Sequence, residues 1–144
     1  MNILSFDYNN NQINRIFNDE NPEYKGCHYS VKIIEQNIIR LLESSLNGIF
    51  RIWYYNSGNL LERIKVCDEI YDFCYFGDEN IIIGSLASIV LLNLKNKKIL
   101  DFSNISSKKK VTLQGISFSN NKIVFASQNL YGKIELYIIK TFYI

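Results

Sequence analysis

The stretch Ser45-Leu46-Asn47-Gly48-Ile49-Phe50-Arg51-Ile52-Trp53 recurs along the chain, and that recurrence constrains the fold more than any other feature. It reads as the end of one strand, a tight Asn-Gly turn, and an alternating strand closing on the sole tryptophan. A weaker copy runs Ser85-Leu86-Ala87-Ser88-Ile89-Val90-Leu91-Leu92-Asn93, and a third Asn129-Leu130-Tyr131-Gly132-Lys133-Ile134-Glu135-Leu136-Tyr137. Forty residues separate Gly48 from Ser88, and 44 separate Ser88 from Gly132. A period of about 40–45 residues with several strands per unit is the signature of a β-propeller blade.

The rest of the chain falls into register with that period. Ile3–Phe6 and Gln12–Phe17 read as a hairpin around the turn-forming run Asp7 to Asn11, and match the last two strands of a blade. Residues 1–17 are therefore a half blade. A first full blade spans 28–65, with strands expected at Ser30–Ile34, Ile38–Leu42, Gly48–Trp53 and Leu60–Ile64. A second spans 66–102, with strands at Ile70–Tyr75, Ile81–Ser85, Ile89–Leu94 and Ile99–Phe102. A third, 111–144, lacks most of its outer strand. Ten Tyr, nine Phe and abundant Ile suit pleated, half-buried surfaces. The expected fold is all-β: antiparallel four-stranded blades, about three and a half of them, not a closed ring alone.

Composition narrows the function classes. A net charge of +2 is too small to argue for nucleic acid or an anionic membrane as the main partner. Cys27, Cys67 and Cys74 lack zinc-ligand spacing, and an odd count with no secretory signal points to reduced thiols in the cytoplasm or nucleus. The longest apolar run, Ile81 to Leu94, is interrupted by Gly84, Ser85, Ser88 and Asn93 and is too short for a membrane span. His28 beside Cys27 has no second histidine and no ligand cluster, so it reads as structural. Asp68-Glu69 and Asp78-Glu79 belong at opposite ends of one strand, too far apart for a paired-carboxylate site. No catalytic constellation, cofactor motif or metal site is read.

The pattern resembles the WD-repeat family of β-propellers over nearly the whole chain. In that family a Gly-His pair opens the repeat and a Trp-Asp pair closes its third strand. Here Gly26-Cys27-His28 stands at the opening, Trp53-Tyr54 at the close, and Asn47 at the turn position usually held by Asp. The resemblance implies a hydrogen-bonded tetrad of His28, Ser45, Asn47 and Trp53 tying turn to core. The repeats are degenerate: Tyr54 replaces Asp, and Asn93 and Tyr137 stand at the later Trp positions.

Propellers close with about 4–8 blades. A count of three and a half implies a fragment of a longer propeller, a subunit whose ring another chain completes, or a pairing of two copies. The strand Gln12–Phe17 is a candidate outer strand for the last blade. The expected function is a non-catalytic protein–protein interaction scaffold. Its partner face is expected where inter-blade loops meet the turns between second and third strands, at Lys65, Asp68, Glu69, Lys108, Lys109, Lys110, Asn129 and Tyr131. RNA or phosphate binding rests only on the lysine run beside Ser106-Ser107 and is the weaker reading. That reading predicts RNA binding that falls steeply between about 50 and 200 mM salt. Absent or salt-insensitive binding in a filter assay rules it out.

Overall fold

The structure is a computed structural model that describes residues 2–21, 27–75, 79–85, 88–101, 112–119, 122–128 and 134–140, the last three as backbone. Among the described residues there are thirteen strands. A hairpin of β1 (Ile3–Asp7) and β2 (Gln12–Phe17) comes first. The first four-stranded sheet follows, in the order β3 (His28–Ile34), β4 (Arg40–Ser45), β5 (Ile49–Tyr54), β6 (Leu60–Lys65). The second repeats it with β7 (Ile70–Tyr75), β8 (Asn80–Ser85), β9 (Ile89–Asn93) and β10 (Ile99–Asp101). A third sheet contains β11 (Thr112–Ser119), β12 (Lys122–Gln128) and β13 (Ile134–Lys140). All pairings are antiparallel between consecutive strands.

The sheets stack face to face through their first strands. β3 and β4 lie against β7, and β11 lies against β7 and β8. The core forms where the first two sheets meet. Leu42, Phe50 and Ile52 from one sheet pack against Ile70, Phe73, Ile81, Ile83, Val90 and Leu92 of the other. Phe50 and Phe73 meet edge to face, centroids 5.0 Å apart at 87°. That geometry sets the positive ring edge on the negative ring face and adds about 0.5–1.5 kcal/mol to the burial of area.

A second, smaller cluster lies on the other face of the first sheet. Phe17 at the end of β2 packs edge to face on Trp53 and joins Leu41, with Ile3, Tyr55 and Leu60 around it. The β1–β2 hairpin is thus a cover over β4, β5 and β6. Ser5 shares a hydrogen bond with the Tyr55 hydroxyl (3.0 Å), and Arg15 Nε donates to the Asn56 carbonyl (2.6 Å).

The turns explain the register. The hairpins β1–β2, β5–β6 and β9–β10 each place a residue four beyond Asp7, Tyr54 and Asn93 in left-handed backbone: Asn11 (φ 55°), Gly58 (φ 75°) and Lys97 (φ 60°). In the latter two, the amides of Gly58 and Lys97 donate back to the carbonyls of Tyr54 and Asn93, both at 2.9 Å. Gly48 is required at the β4–β5 turn for two reasons. Its φ is +73°, and a Cβ there would stand 1.8 Å from the Cys67 carbonyl oxygen.

Several boundaries differ from the sequence reading: β3 begins at His28 rather than Ser30, and β4 runs to Ser45 rather than Leu42. The second strand of the first sheet begins at Arg40, not Ile38, because the chain bends over Gln36-Asn37-Ile38 before pairing. Ile38 is left exposed. Its apolar character, not its position, suggested a strand. Phe102 and Val111 lie outside the described residues.

Replacing Phe73 by Ala is expected to cost about 3–5 kcal/mol in urea unfolding, since the ring is fully buried between two sheets. Ile33→Ala, on the exposed face of β3, is expected to cost under ~1 kcal/mol. Gly48→Ala is expected to destabilise by more than ~1 kcal/mol, because neither its backbone nor the Cys67 carbonyl leaves room for a methyl group.

Candidate functional site

Polar chemistry concentrates between the β1–β2 hairpin and the first sheet, and a single carboxylate organises it. Glu43 sits mid-strand in β4, directly across from Arg51 in β5, with its side chain fully buried. Arg51 Nη1 donates to Glu43 Oε1 (2.7 Å), and Trp53 Nε1 donates to Oε2 (3.1 Å). His28 Nδ1 also bonds to Oε1. One carboxylate thus receives an imidazole, a guanidinium and an indole N–H. Burial of a charge is tolerated only with such partners.

The network continues outward through Asp19, in the loop after β2. Arg51 Nε donates to Asp19 Oδ2 (2.8 Å), and Arg63 of β6 adds bonds from Nε (2.8 Å) and Nη2 (2.6 Å). The Arg63 hydrogen bonds hold the Asp19 carboxyl well below the usual carboxylate range, against the opposing effect of burial, with Arg51 and the Asn21 amide adding to the lowering. Four charges alternate in sign across the sheet, from Glu43 through Arg51 and Asp19 to Arg63. They fasten the linker after β2 onto the sheet.

The residues of the implied tetrad all lie in this region, joined through two others. His28 and Trp53 meet at Glu43. Ser45 Oγ is 2.6 Å from Asn47 Oδ1 and 2.8 Å from the Ile49 carbonyl, its single hydrogen shared between them, and accepts from Arg51 Nη1 (3.2 Å). Arg51 connects the two halves. Sequence reasoning missed Glu43, Arg51 and Asp19. The available signal was the symmetry of Glu43 and Arg51 about Asn47, four residues on either side, which makes them cross-strand partners in a hairpin closed there.

The expected partner face is described in part. Lys65 ends β6, with Nζ donating to the Asn47 carbonyl (2.8 Å), and the Val66 amide donates to the Gly48 carbonyl (3.0 Å). The loop 66–69 therefore lies on the β4–β5 turn. Asp68 is exposed, and Glu69 Oε2 accepts from the Tyr71 hydroxyl (2.6 Å), which pushes that phenol up to about 12. Beneath them, burial pushes the Cys67 thiol up to about 11, so it is a poor nucleophile at neutral pH. Lys65, Asp68 and Glu69 thus share one end of the first two sheets. Lys108, Lys109, Lys110, Asn129 and Tyr131 lie outside the described residues. Glu79 is at the opposite end of β7 and β8, forked onto Arg40 at 2.7 and 2.8 Å. That bond holds its carboxyl below the ordinary range. Among the described residues no group of three or more His, Cys, Asp or Glu could hold a metal ion. Among the described residues no helix is long and apolar enough to cross a membrane.

The hairpin's outer face is apolar, and none of the described residues covers it. Leu4 pairs with Ile16 and Phe6 with Ile13 directly across the hairpin, and all four are about half exposed. Charged side chains usually blunt such faces.

Removing the central carboxylate should be costly. Glu43→Leu leaves the Arg51 charge, the His28 ring and the Trp53 N–H without their shared acceptor, and a loss of about 3–5 kcal/mol is expected in chemical unfolding. Adding Arg51→Met to it should recover part of that loss, which a double-mutant cycle measures. Asp19 sets a pH dependence. Its folded pKa lies below the unfolded value of about 3.9, so its contribution is complete above that value and is lost as pH falls through the folded one. Unfolding free energies from pH 7 to pH 3 should therefore fall more steeply for the parent chain than for Asp19→Asn.

No family model matches this chain, and no curated protein matches it. Solved structures do. The computationally designed Ika4 protein superposes with a TM-score of 0.63 at 16% identity, covering 96% of this chain and 79% of that one. The computationally designed Ika8 protein gives 0.58 at 15% identity, covering 90% of this chain and 37% of that one. At these identities the likeness concerns fold alone. Together with the four-stranded antiparallel sheets, it shows an all-β, propeller-like architecture of stacked repeat sheets.

Proposed function

We propose that this chain is a WD-repeat-like propeller segment that acts as a non-catalytic protein–protein interaction scaffold. The observation that carries it is the exposed apolar quartet Leu4, Phe6, Ile13 and Ile16, set on a hairpin whose other face is locked down by Phe17, Ser5 and Arg15. A rigid platform that displays four large apolar side chains is built to bury them against another protein surface. The charged end at Lys65, Asp68 and Glu69 supplies a polar second face. The buried Glu43 network supports a structural role for His28 and Trp53: their polar atoms are engaged with a carboxylate inside the sheet.

A second reading has its own observation. β3 alternates between covered and exposed positions, whereas every position of its counterpart β7 is buried or half-buried. That difference favours a segment whose propeller is completed by another chain or by a second copy.

The scaffold reading is tested by crosslinking mass spectrometry of the tagged full chain in cell extract. Leu4→Lys with Ile16→Lys should abolish a reproducible crosslinked protein partner while leaving the melting temperature unchanged. Ala at Lys65, Asp68 and Glu69 tests the charged end in the same way. A partner profile unaltered by either set, or no partner above a tag-only control, overturns the reading.

A further inference from the structure

The turns that close β1–β2, β5–β6 and β9–β10 share one form, and the three copies act as controls for one another. In the first hairpin the turn reads Tyr8-Asn9-Asn10-Asn11, and in the first sheet Tyr55-Asn56-Ser57-Gly58. Neither carries a charge. In the second sheet it reads Leu94-Lys95-Asn96-Lys97, with Lys98 next. The fourth position takes left-handed backbone in every copy, filled by Asn11, Gly58 and Lys97. Asn and Gly accept that conformation readily, whereas lysine is disfavoured in it. What the chain gains there is a cation. Lys97 Nζ donates to Glu62 Oε2 of β6, but the two side chains are 42% and 34% exposed, and an exposed pair adds little to stability.

The turn presents its lysines on a stiff frame. Asn93 Oδ1 accepts the amides of Lys95 (3.1 Å) and Asn96 (3.0 Å), and Asn96 Oδ1 accepts that of Lys98 (2.9 Å). Among the described residues Lys95 and Lys98 have no carboxylate within ion-pair distance. Glu62 and Glu79, the carboxylates that border the turn, are engaged by Lys97 and Arg40. Beyond the turn, every residue of β10 is exposed, Ile99 at 38% and Leu100 at 37%. β10 ends the strand order of its sheet, so among the described residues its outer edge is unpaired. That sheet has all four strands and lies between the first and third sheets, so its outer edge does not depend on where the chain begins.

We infer that this corner is a docking site for an extended acidic segment of a partner protein. The segment pairs antiparallel with β10, sets its carboxylates among Lys95, Lys97 and Lys98, and covers Ile99 and Leu100. Backbone hydrogen bonds supply the pairing, and charge complementarity selects the segment. A second copy matches the charge poorly, since its own β10 and turn bring three lysines and one carboxylate, Asp101. Nucleic acid satisfies the lysines but offers no peptide groups to the strand edge. The inference deepens the scaffold reading and rests on it, at a surface apart from the apolar quartet and the Lys65 end.

The probe is a labelled synthetic peptide, Val-Thr-Val-Thr-Glu-Glu-Glu, titrated with the full chain by fluorescence anisotropy at low salt. Saturable binding is expected, with slowed amide exchange over Ile99–Asp101. Lys95→Glu with Lys98→Glu should weaken binding by about tenfold or more and leave the melting temperature unchanged, because neither ammonium holds another described residue. Lys97→Gly separates binding from structure: it should weaken binding while raising the melting temperature, since glycine relieves the left-handed backbone. No saturable binding, equal binding of the peptide with Gln for Glu, or unchanged exchange in β10 overturns the inference. So does binding that survives the lysine substitutions, or a melting temperature lowered by Lys97→Gly. An RNA oligonucleotide that displaces the peptide and binds as tightly assigns the corner to nucleic acid, and dimerisation abolished by Lys95→Glu with Lys98→Glu assigns it to a second copy; either result also overturns it. These variants leave Leu4, Ile16, Lys65, Asp68 and Glu69 intact, so failure here and failure of the scaffold reading are distinguishable.

Discussion

The buried carboxylate of Glu43 is the interaction on which the first sheet and its surroundings depend. A carboxylate without water must find its partners inside the protein, and this one takes three, from β3 and β5. Each partner is itself costly to bury alone. The guanidinium of Arg51 reaches onward to Asp19, which also receives Arg63. Because the donors and acceptors are directional, the network admits one register of β4 on β5 and one seating for the linker after β2. A purely apolar interface would bury similar area with less discrimination between alignments.

That seating has a structural consequence. Asp19 holds the linker, the linker holds β2, and Phe17 at its end closes over Trp53. The hairpin is therefore fixed as a platform. The apolar quartet on its outer face therefore keeps a defined geometry. Exposed apolar area on a rigid support loses little conformational freedom on binding, which is the condition for recognition rather than non-specific adhesion.

Much of the fold was legible because turn chemistry and strand periodicity agree. The Asn47-Gly48 turn closes where a type needing positive φ is expected, and Gly48 has it. Strand alternation located β2, β5 and β6 to within a residue. The second strand begins later than its residues suggest, since Ile38 lies within a bend and Ile39 precedes the first paired residue, Arg40. The polar site was the harder part. Glu43 and Arg51 look like solvent-facing charges in a strand, and only cross-strand pairing plus a covering hairpin makes them core. Asp19 sits in a polar run with no periodicity, so nothing local distinguishes it from its neighbours.

By itself the sequence determined the repeat, the strand content and the positions of the tight turns. These depend on local properties: side-chain alternation, β-branching, and residues that accept left-handed backbone. Tertiary structure alone decided which faces are covered. Val31 and Leu42 are similar side chains in adjacent strands, yet one is exposed and the other sealed between sheets. That difference comes from which sheet lies above each, a relation between segments distant in sequence. The same stacking turns Glu43 from a surface charge into the centre of the network.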